Sequence, residues 1–283
     1  HTFCRNPHCG RTRIKTPVGT LFVCATPIGN LRDCTFRLID TLTQVDLIAA
    51  EDTRVTQLLL REFEIKTPLI SLQKHNENKR VSTLLTQLQN GKNMALVSDA
   101  GTPNICDPGA YFISQLRNNN ISIVPIPGPS AITTVLSVSG ILSNTFYFGG
   151  FFPKTETDCN KQITQLEPLN CPLVFFETAK RLVQTVRRLS IYSEARIVLG
   201  KELTKTFEAI IVGNVADIQS YLKEMTLKGE FCLIIMLNTH DYKKKQDQAL
   251  LHCFKEAQLT VRQGVLIGTQ LGMAKNEIKR ALY

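Results

Sequence analysis

The chain has 283 residues, enough for two domains of ordinary size, and its 43% hydrophobic and 20% charged content is that of a soluble globular protein. No apolar run reaches the roughly 18 residues of a membrane span, and residues 1–15 lack the apolar core of a secretory signal, so a cytosolic (cytoplasmic) protein is expected. The formal net charge of +9 gathers at the ends: residues 1–17 carry Arg5, Arg11, Arg13 and Lys15 with no acid, and residues 240–283 carry eight Lys or Arg against four Asp or Glu.

From Gly19 onward, short apolar runs alternate with stretches of helical periodicity, the pattern of an α/β domain. "GTLFVCATP" predicts a strand, Thr35–Leu42 a helix, "DLIAAED" a strand, "RVTQLLLREF" a helix and "PLISL" a strand. A helix over "VSTLLTQLQNG" ending at Gly91, a strand over "NMALVSD", a helix over "GAYFISQLRNNN" and a strand over "SIVPIPG" complete the first unit. Strands joined by helices imply a parallel sheet with right-handed crossovers, whose ligands bind beyond the carboxyl ends of the strands. "PGPSAITTVLSVSGIL" predicts a helix. After it, "TFYFGGFF", "CPLVFFE", "ARIVLGKELT", "EAIIVGN" and "GEFCLIIML" predict strands, with helices at Ala179–Leu189 and near Val215–Glu224. With so few helices between neighbouring strands, the second sheet should be mixed. "KKKQDQ" reads as a charged linker. Beyond it, Gly268, Gly272 and Ile278 have the spacing of the small, turn and core positions of a helix-turn-helix, with Lys275, Lys279 and Arg280 on its second helix. A capping helical hairpin with solvated lysines fits the same residues. The units are then a basic extension (1–17), a parallel α/β domain (18–127), a second α/β domain with a mixed sheet (128–239) and a basic helical hairpin (240–283).

"TPIGN", "AEDTR", "SDAGTP" and "PGPSA" each begin where a predicted strand ends. One such turn would be ordinary loop chemistry; four should converge on one rim. In "VSDAGTPNICDPG" an apolar run falls into a segment with two Gly and two Pro, with neither G-x-G-x-x-G nor a P-loop following, so a small ligand other than a dinucleotide or nucleoside triphosphate is expected at this backbone. The nine cysteines, an odd number, read as reduced small hydrophobes. Cys4 and Cys9, with His1 and His8 beside them, would make part of a zinc site, but no second pair follows to complete four ligands, and no metal is expected. Basic ends on a near-neutral body suit a polyanion at the periphery, solubility alone being the competing reading.

In this order and at these separations, "TPIGNL", "AAEDTR", "VSDAGTP", "DPG", "PGPSA", "KELTK" and "KGE" closely resemble the bacterial methyltransferases that 2′-O-methylate a cytidine ribose of 16S ribosomal RNA, within the tetrapyrrole methylase superfamily. The resemblance covers about Gly19–Leu237. It implies S-adenosylmethionine as methyl donor, held in a cleft between two α/β domains, small-subunit ribosomal RNA as partner, and a homodimer. It assigns Pro27, Asp99, Ala100, Gly101, Thr102, Ser130 and Ala131 to the cofactor. Gly101 would spare the clash of a Cβ and Asp99 would accept from the ammonium or ribose, while the turn at 128–131 supplies amide donors. Two stretches depart from the family: Asn104 and Cys106 in "PNICDPG", and "FFETAKRL" in place of an "ES-P-H-R" type segment. Both leave the cofactor loops intact and mark a diverged member.

Transfer from a sulfonium to a ribose hydroxyl is an in-line displacement that needs alignment and a base for the hydroxyl proton. Glu51, Asp52, Asp99, Glu177 and Glu202 are the carboxylates at strand ends or motifs. Glu51 and Asp52 are favoured for the base, with Arg54 holding a phosphate. Asn30, Lys201, Glu202 and Lys205 are expected on the substrate side, and Lys275, Lys279 and Arg280 at the RNA. A salt bridge among strand-end charges is the competing reading for each. Two other functions stay open. One is the same fold acting on a tetrapyrrole carbon or a modified protein side chain, although "TPIGNL" stands where porphyrin enzymes carry G-x-G-P-G-D. The other is a non-catalytic RNA-binding assembly factor.

Overall fold

The computed structural model describes residues 18–237, 250–271 and 273–282; the leader with Cys4 and Cys9, the "KKKQDQ" segment and Gly272 lie outside the described residues. The first unit runs β1 (Thr20–Cys24), α1 (Phe36–Gln44), β2 (Leu47–Ala50), α2 (Thr53–Glu62), β3 (Leu69–Ser71), α3 (Glu77–Gln89), β4 (Met94–Val97), α4 (Ala110–Asn118) and β5 (Ser122–Ile126). Its five strands are all parallel, in the order β3-β2-β4-β1-β5. Side chains alternate between two cores: Ile48, Ala50, Ala95 and Val97 face one side of the sheet, Ala49, Met94 and Leu96 the other. Helices cover both faces, so the strands read as continuous apolar runs. α3 begins earlier than its periodicity predicts, and Gly91, at φ 89°, follows its end.

The second unit runs α5 (Ala131–Ser137), β6 (Tyr147–Phe151), α6 (Glu156–Leu166), β7 (Leu173–Thr178), α7 (Ala179–Arg188), β8 (Arg196–Lys201), β9 (Ala209–Asn214), α8 (Val215–Glu224) and β10 (Glu230–Met236). The sheet order is β6-β7-β10-β8-β9; β6 and β7 pair in parallel and the other neighbours antiparallel, which makes the expected mixed sheet. Here too the period is two. Leu173, Phe175, Ile197, Leu199, Phe231, Leu233 and Ile235 pack under α6, α7 and α8. Val174, Val198, Cys232 and Ile234 face the opposite way and meet Ile28 from the β1 loop and Ile132 and Val135 of α5. At roughly 1.5–3 kcal/mol for each fully buried aliphatic side chain, this second cluster fixes how the two sheets face each other.

Two further helices depart from the pattern the sequence predicts. α5 stops at Ser137, well short of the expected end, because the Ser139 hydroxyl donates to the Leu136 carbonyl and accepts from the Ile141 amide. α6 is an additional helix. Its start is set by Thr155, whose hydroxyl accepts from the Asp158 amide, and it buries Cys159, Ile163 and Leu166.

Past residue 249, α9 (described over 250–256), α10 (Val261–Gln270) and α11 (Lys275–Leu282) close on Phe254, Met273 and Ile278. A Cβ on Gly268 would stand 2.6 Å from Ile278 Cδ1, so α10 and α11 approach as closely as they do because that residue is glycine. Lys275, Lys279 and Arg280 are exposed on α11. Among the described residues, no helix is long and apolar enough to cross a membrane and no cluster of His, Cys, Asp and Glu could hold a metal ion.

Candidate active site

The turns after β1, β2, β4 and β5 stand side by side because those four strands are neighbours in the parallel sheet. Opposite them lies one end of the mixed sheet, where Phe151 and Cys232 flank Phe176, and Glu177 and Thr178 pair with Phe231 and Glu230. Between the two is a cleft of about 360 Å³. Glu51, Asp99, Ala100, Gly101, Thr102, Ser130 and Ala131 line it from the first sheet's side, together with Ile28, Ile105, Cys106 and Asp107. Leu203, Gly229 and Glu230 join the aromatic wall on the far side. Pro27, Asn30, Asp52, Arg54, Lys201, Glu202 and Lys205 are not among the lining residues.

The "SDAGTP" turn is pinned to the β1 loop. The Thr26 and Gly101 amides donate to each other's carbonyls at 2.9 and 3.1 Å, and the Thr26 hydroxyl donates to the Ser98 carbonyl. Gly101 takes φ +79°, and a Cβ there would sit 3.2 Å from Ile28 Cγ2. Its own amide and carbonyl both bond Thr26, so what it offers a ligand is the space left by the missing side chain. The first-turn amides of α5 have no side-chain cap from Ser130, and Ser130 and Ala131 both border the cleft.

Three carboxylates converge at the cleft floor. Burial pushes Glu51 up, and Asp107 pushes it further. Asp99 and Asp107 are likewise raised, chiefly by burial. Lys74 donates to the Cys106 carbonyl at 2.8 Å and moderates the group. Asp99 is held by the Asp52 amide at 2.9 Å. Asp52 is different: charge-assisted bonds from Nε and Nη2 of Arg54 and its role as α2 cap keep its carboxyl down at about 2. A carboxylate so stabilised as an anion is a weak base. Asp52 therefore aims Arg54, whose side chain is 89% exposed, while Glu51 borders the cleft beside Asp99 and Asp107.

Other residues on the expected substrate side hold the loops together. The Asn30 side chain accepts from the Arg32 amide and caps the turn Leu31–Asp33. Glu202 accepts from the Glu230 amide at 2.9 Å, and Lys205 Nζ lies 3.0 Å from both Glu202 and Glu230. Partial burial would raise Glu202, but these donors bring it below the usual carboxylate range. Gly229 and Gly29 make this closure possible, because a Cβ at Gly229 would stand 2.3 Å from the Glu202 carboxylate and one at Gly29 2.4 Å from Lys205 Cγ. The "KELTK", "KGE" and "TPIGNL" motifs thus lock the two sheets' loops together.

Glu177 lines the cleft yet is buried, accepting from the Thr185 hydroxyl at 2.6 Å and the Thr178 amide at 2.7 Å and pairing with Arg181 at 3.2 Å. Arg181 also donates to the Phe152 and Pro153 carbonyls, tying β7 and α7 to the exit of β6. Thr185→Val, which removes a hydroxyl bond to a buried charge, should cost about 2 kcal/mol in urea unfolding. Unchanged stability would mean that Glu177 is held by its other donors alone.

A family model described as Tetrapyrrole (Corrin/Porphyrin) Methylases matches residues 20–219. The protein named Ribosomal RNA small subunit methyltransferase I of Pasteurella multocida (strain Pm70) is 44% identical over 222 residues, 77% of this chain and 79% of the relative. The protein of that name from Bacillus subtilis (strain 168) is 38% identical over 235 residues, 83% and 80% of the two chains. The one from Escherichia coli O157:H7 is 37% identical over 270 residues, 94% and 93%. Among solved structures, a diphthine synthase superposes with a TM-score of 0.59 at 12% identity, covering 77% of this chain and 89% of its own. A cobalt precorrin-4 methyltransferase does so at 0.55 and 15%, covering 76% and 94%. At those identities the likeness is one of fold. With the family model matched over most of the chain and relatives this similar along most of their length, the protein belongs to the tetrapyrrole methylase family.

Proposed function

We propose that the protein is an S-adenosylmethionine-dependent methyltransferase of small-subunit ribosomal RNA, and that its acceptor is the 2′-hydroxyl of a cytidine. Family membership and the names of the relatives support the donor and the RNA. The observation that carries the reading is the cleft where four strand-end turns meet the mixed sheet, with Glu51 inside it. Its residues fit the donor: apolar walls for an adenine, the Asp99 carboxylate for an ammonium or ribose diol, uncapped amides at α5, and a floor at Gly101 that a Cβ would fill.

When bound, S-adenosylmethionine supplies an electrophilic methyl group on a sulfonium. The chain's work is alignment, exclusion of water and proton removal. Ala100, Gly101, Thr102, Ser130 and Ala131 border the donor's side of the cleft, and Phe151 and Phe176 shield the other. Glu51 would take the proton of the attacking ribose hydroxyl. Arg54, aimed by Asp52, holds a neighbouring phosphate. Lys201, Glu202 and Lys205 keep the substrate-side rim in shape. The protein works in the cytoplasm as a homodimer, with residues 18–127 and 128–239 as its two α/β domains and 240–283 as a basic RNA-contacting hairpin.

Incubation with labelled S-adenosylmethionine and either small ribosomal subunits or porphyrin precursors tests the acceptor. Label is expected in RNA; label in the porphyrin would move the activity to a tetrapyrrole, and label in neither would leave an RNA-binding scaffold. The hairpin is tested separately. Replacing Lys275, Lys279 and Arg280 together by alanine should make log affinity for RNA fall less steeply with log salt, by about 0.7–0.9 for each phosphate no longer neutralised. An unchanged slope would remove α11 from the RNA surface.

A further inference from the structure

We infer that Arg61, with Arg54, forms a phosphate-binding groove along α2 that holds the RNA backbone beside the nucleotide being methylated; the inference rests on the RNA reading above. Thr53, Arg54, Gln57 and Arg61 fall on one face of α2, and with Leu69 of β3 they line an open groove of about 590 Å³. This groove starts where the cleft ends. The Asp52 amide donates to Asp99, which borders the cleft, and the Asp52 carboxylate holds Arg54, which borders the groove. A strand whose target ribose enters the cleft therefore passes its next phosphates over α2.

The groove's charge is available. Arg61 is exposed and has no ion-pair partner among the described residues, and Arg54 keeps most of its guanidinium in solvent while bound to Asp52. The two arginines are two helical turns apart, about 10 Å along the axis, which is farther than one phosphate can bridge. A polymer of phosphates uses both; a free phosphate uses one. Thr53 and Gln57 between them add neutral hydrogen-bonding groups suited to ribose and phosphate oxygens. Among the described residues no aromatic side chain lines the groove, so it grips the backbone without reading bases, and its contribution is the same for any flanking sequence.

The test is Arg61→Ala in the full-length protein, read by equilibrium binding to a small-subunit RNA fragment across a salt series. The expected result is severalfold weaker binding at low salt and a slope shallower by about 0.7–0.9, with calorimetric affinity for S-adenosylmethionine unchanged. In steady-state assays the loss falls on KM. Arg61→Lys should restore most of the slope, since a point charge still neutralises a phosphate. Lys223→Ala on α8, over the other sheet, serves as the control for overall charge and should leave the slope alone. Arg61→Ala with wild-type affinity and slope overturns the inference, as does a Lys223→Ala effect of equal size, and in either case the RNA reading stands if the wild type methylates RNA. A wild type that binds no RNA sinks the underlying reading and the groove with it.

Discussion

Replacing Glu51 by glutamine is expected to slow methyl transfer by roughly 10²- to 10⁴-fold while cofactor affinity is kept, the usual size of a general-base effect. Glu51 lies in the cleft with its pKa raised by burial and by Asp107, whereas Asp52 is held at about 2 by Arg54. The stronger base is Glu51. Wild-type single-turnover rates should fall as pH drops through the raised Glu51 value, and Glu51→Gln should lack that acid limb. Asp52→Asn should keep the limb and lose rate through a misaimed Arg54, a loss that higher pH does not restore. The stability consequence has a definite sign. A carboxyl whose folded pKa is raised contributes stability below its ordinary pKa of 4.5 and loses it as pH rises through the raised value, so Glu51→Gln should be at least as stable as wild type at neutral pH. Full activity with an intact acid limb in Glu51→Gln would rule out Glu51 as base and turn attention to Asp107 and Asp99.

Gly101→Val should abolish measurable calorimetric binding of S-adenosylmethionine. The residue sits at φ +79° with Ile28 3.2 Å from where a Cβ would stand, so valine brings both backbone strain and a branched side chain into a turn that borders the cleft. Strain of this kind, about 1–2 kcal/mol, could act on folding instead of binding, and Ala131→Phe separates the two. Ala131 opens α5 with helical backbone and borders the same cleft, so phenylalanine there fills the ligand's space without strain. Loss of binding in both variants, with a lowered thermal midpoint in Gly101→Val and a wild-type one in Ala131→Phe, is the expected result. Retained affinity in a folded Ala131→Phe protein would move the donor elsewhere.

Most of the first sheet is legible in the chain because each strand is an apolar run that stops at a polar turn, and a parallel sheet brings those stops to one rim. Glu51, Asp99, Gly101 and Ser130 all sit at such stops, and the fold sets them side by side around the cleft. The far wall cannot be read in this way. Phe151, Phe176, Phe231 and Cys232 meet through the register of a mixed sheet, a non-local property that no local pattern carries. Asp107 belongs to the "DPG" motif, yet nothing in that motif points to a role, since only folding brings its carboxylate within reach of Glu51. α6 leaves a faint trace because Cys159, Ile163 and Leu166 are its only buried residues in a polar stretch, although Thr155 and Asp158 have the spacing of a helix start. The "KELTK" motif suggests substrate contacts for Lys205 and Glu202, but their charges are spent on each other and on Glu230.

The most direct measurement is nucleoside analysis of small-subunit ribosomal RNA after reaction with the purified protein and isotopically labelled S-adenosylmethionine. The RNA is digested completely and the labelled nucleoside identified by mass spectrometry. A single labelled species, 2′-O-methylcytidine, is expected from wild type and should be reduced at least about 100-fold in Glu51→Gln. Label on a base, on another ribose, or at equal rate in both proteins would contradict that expectation.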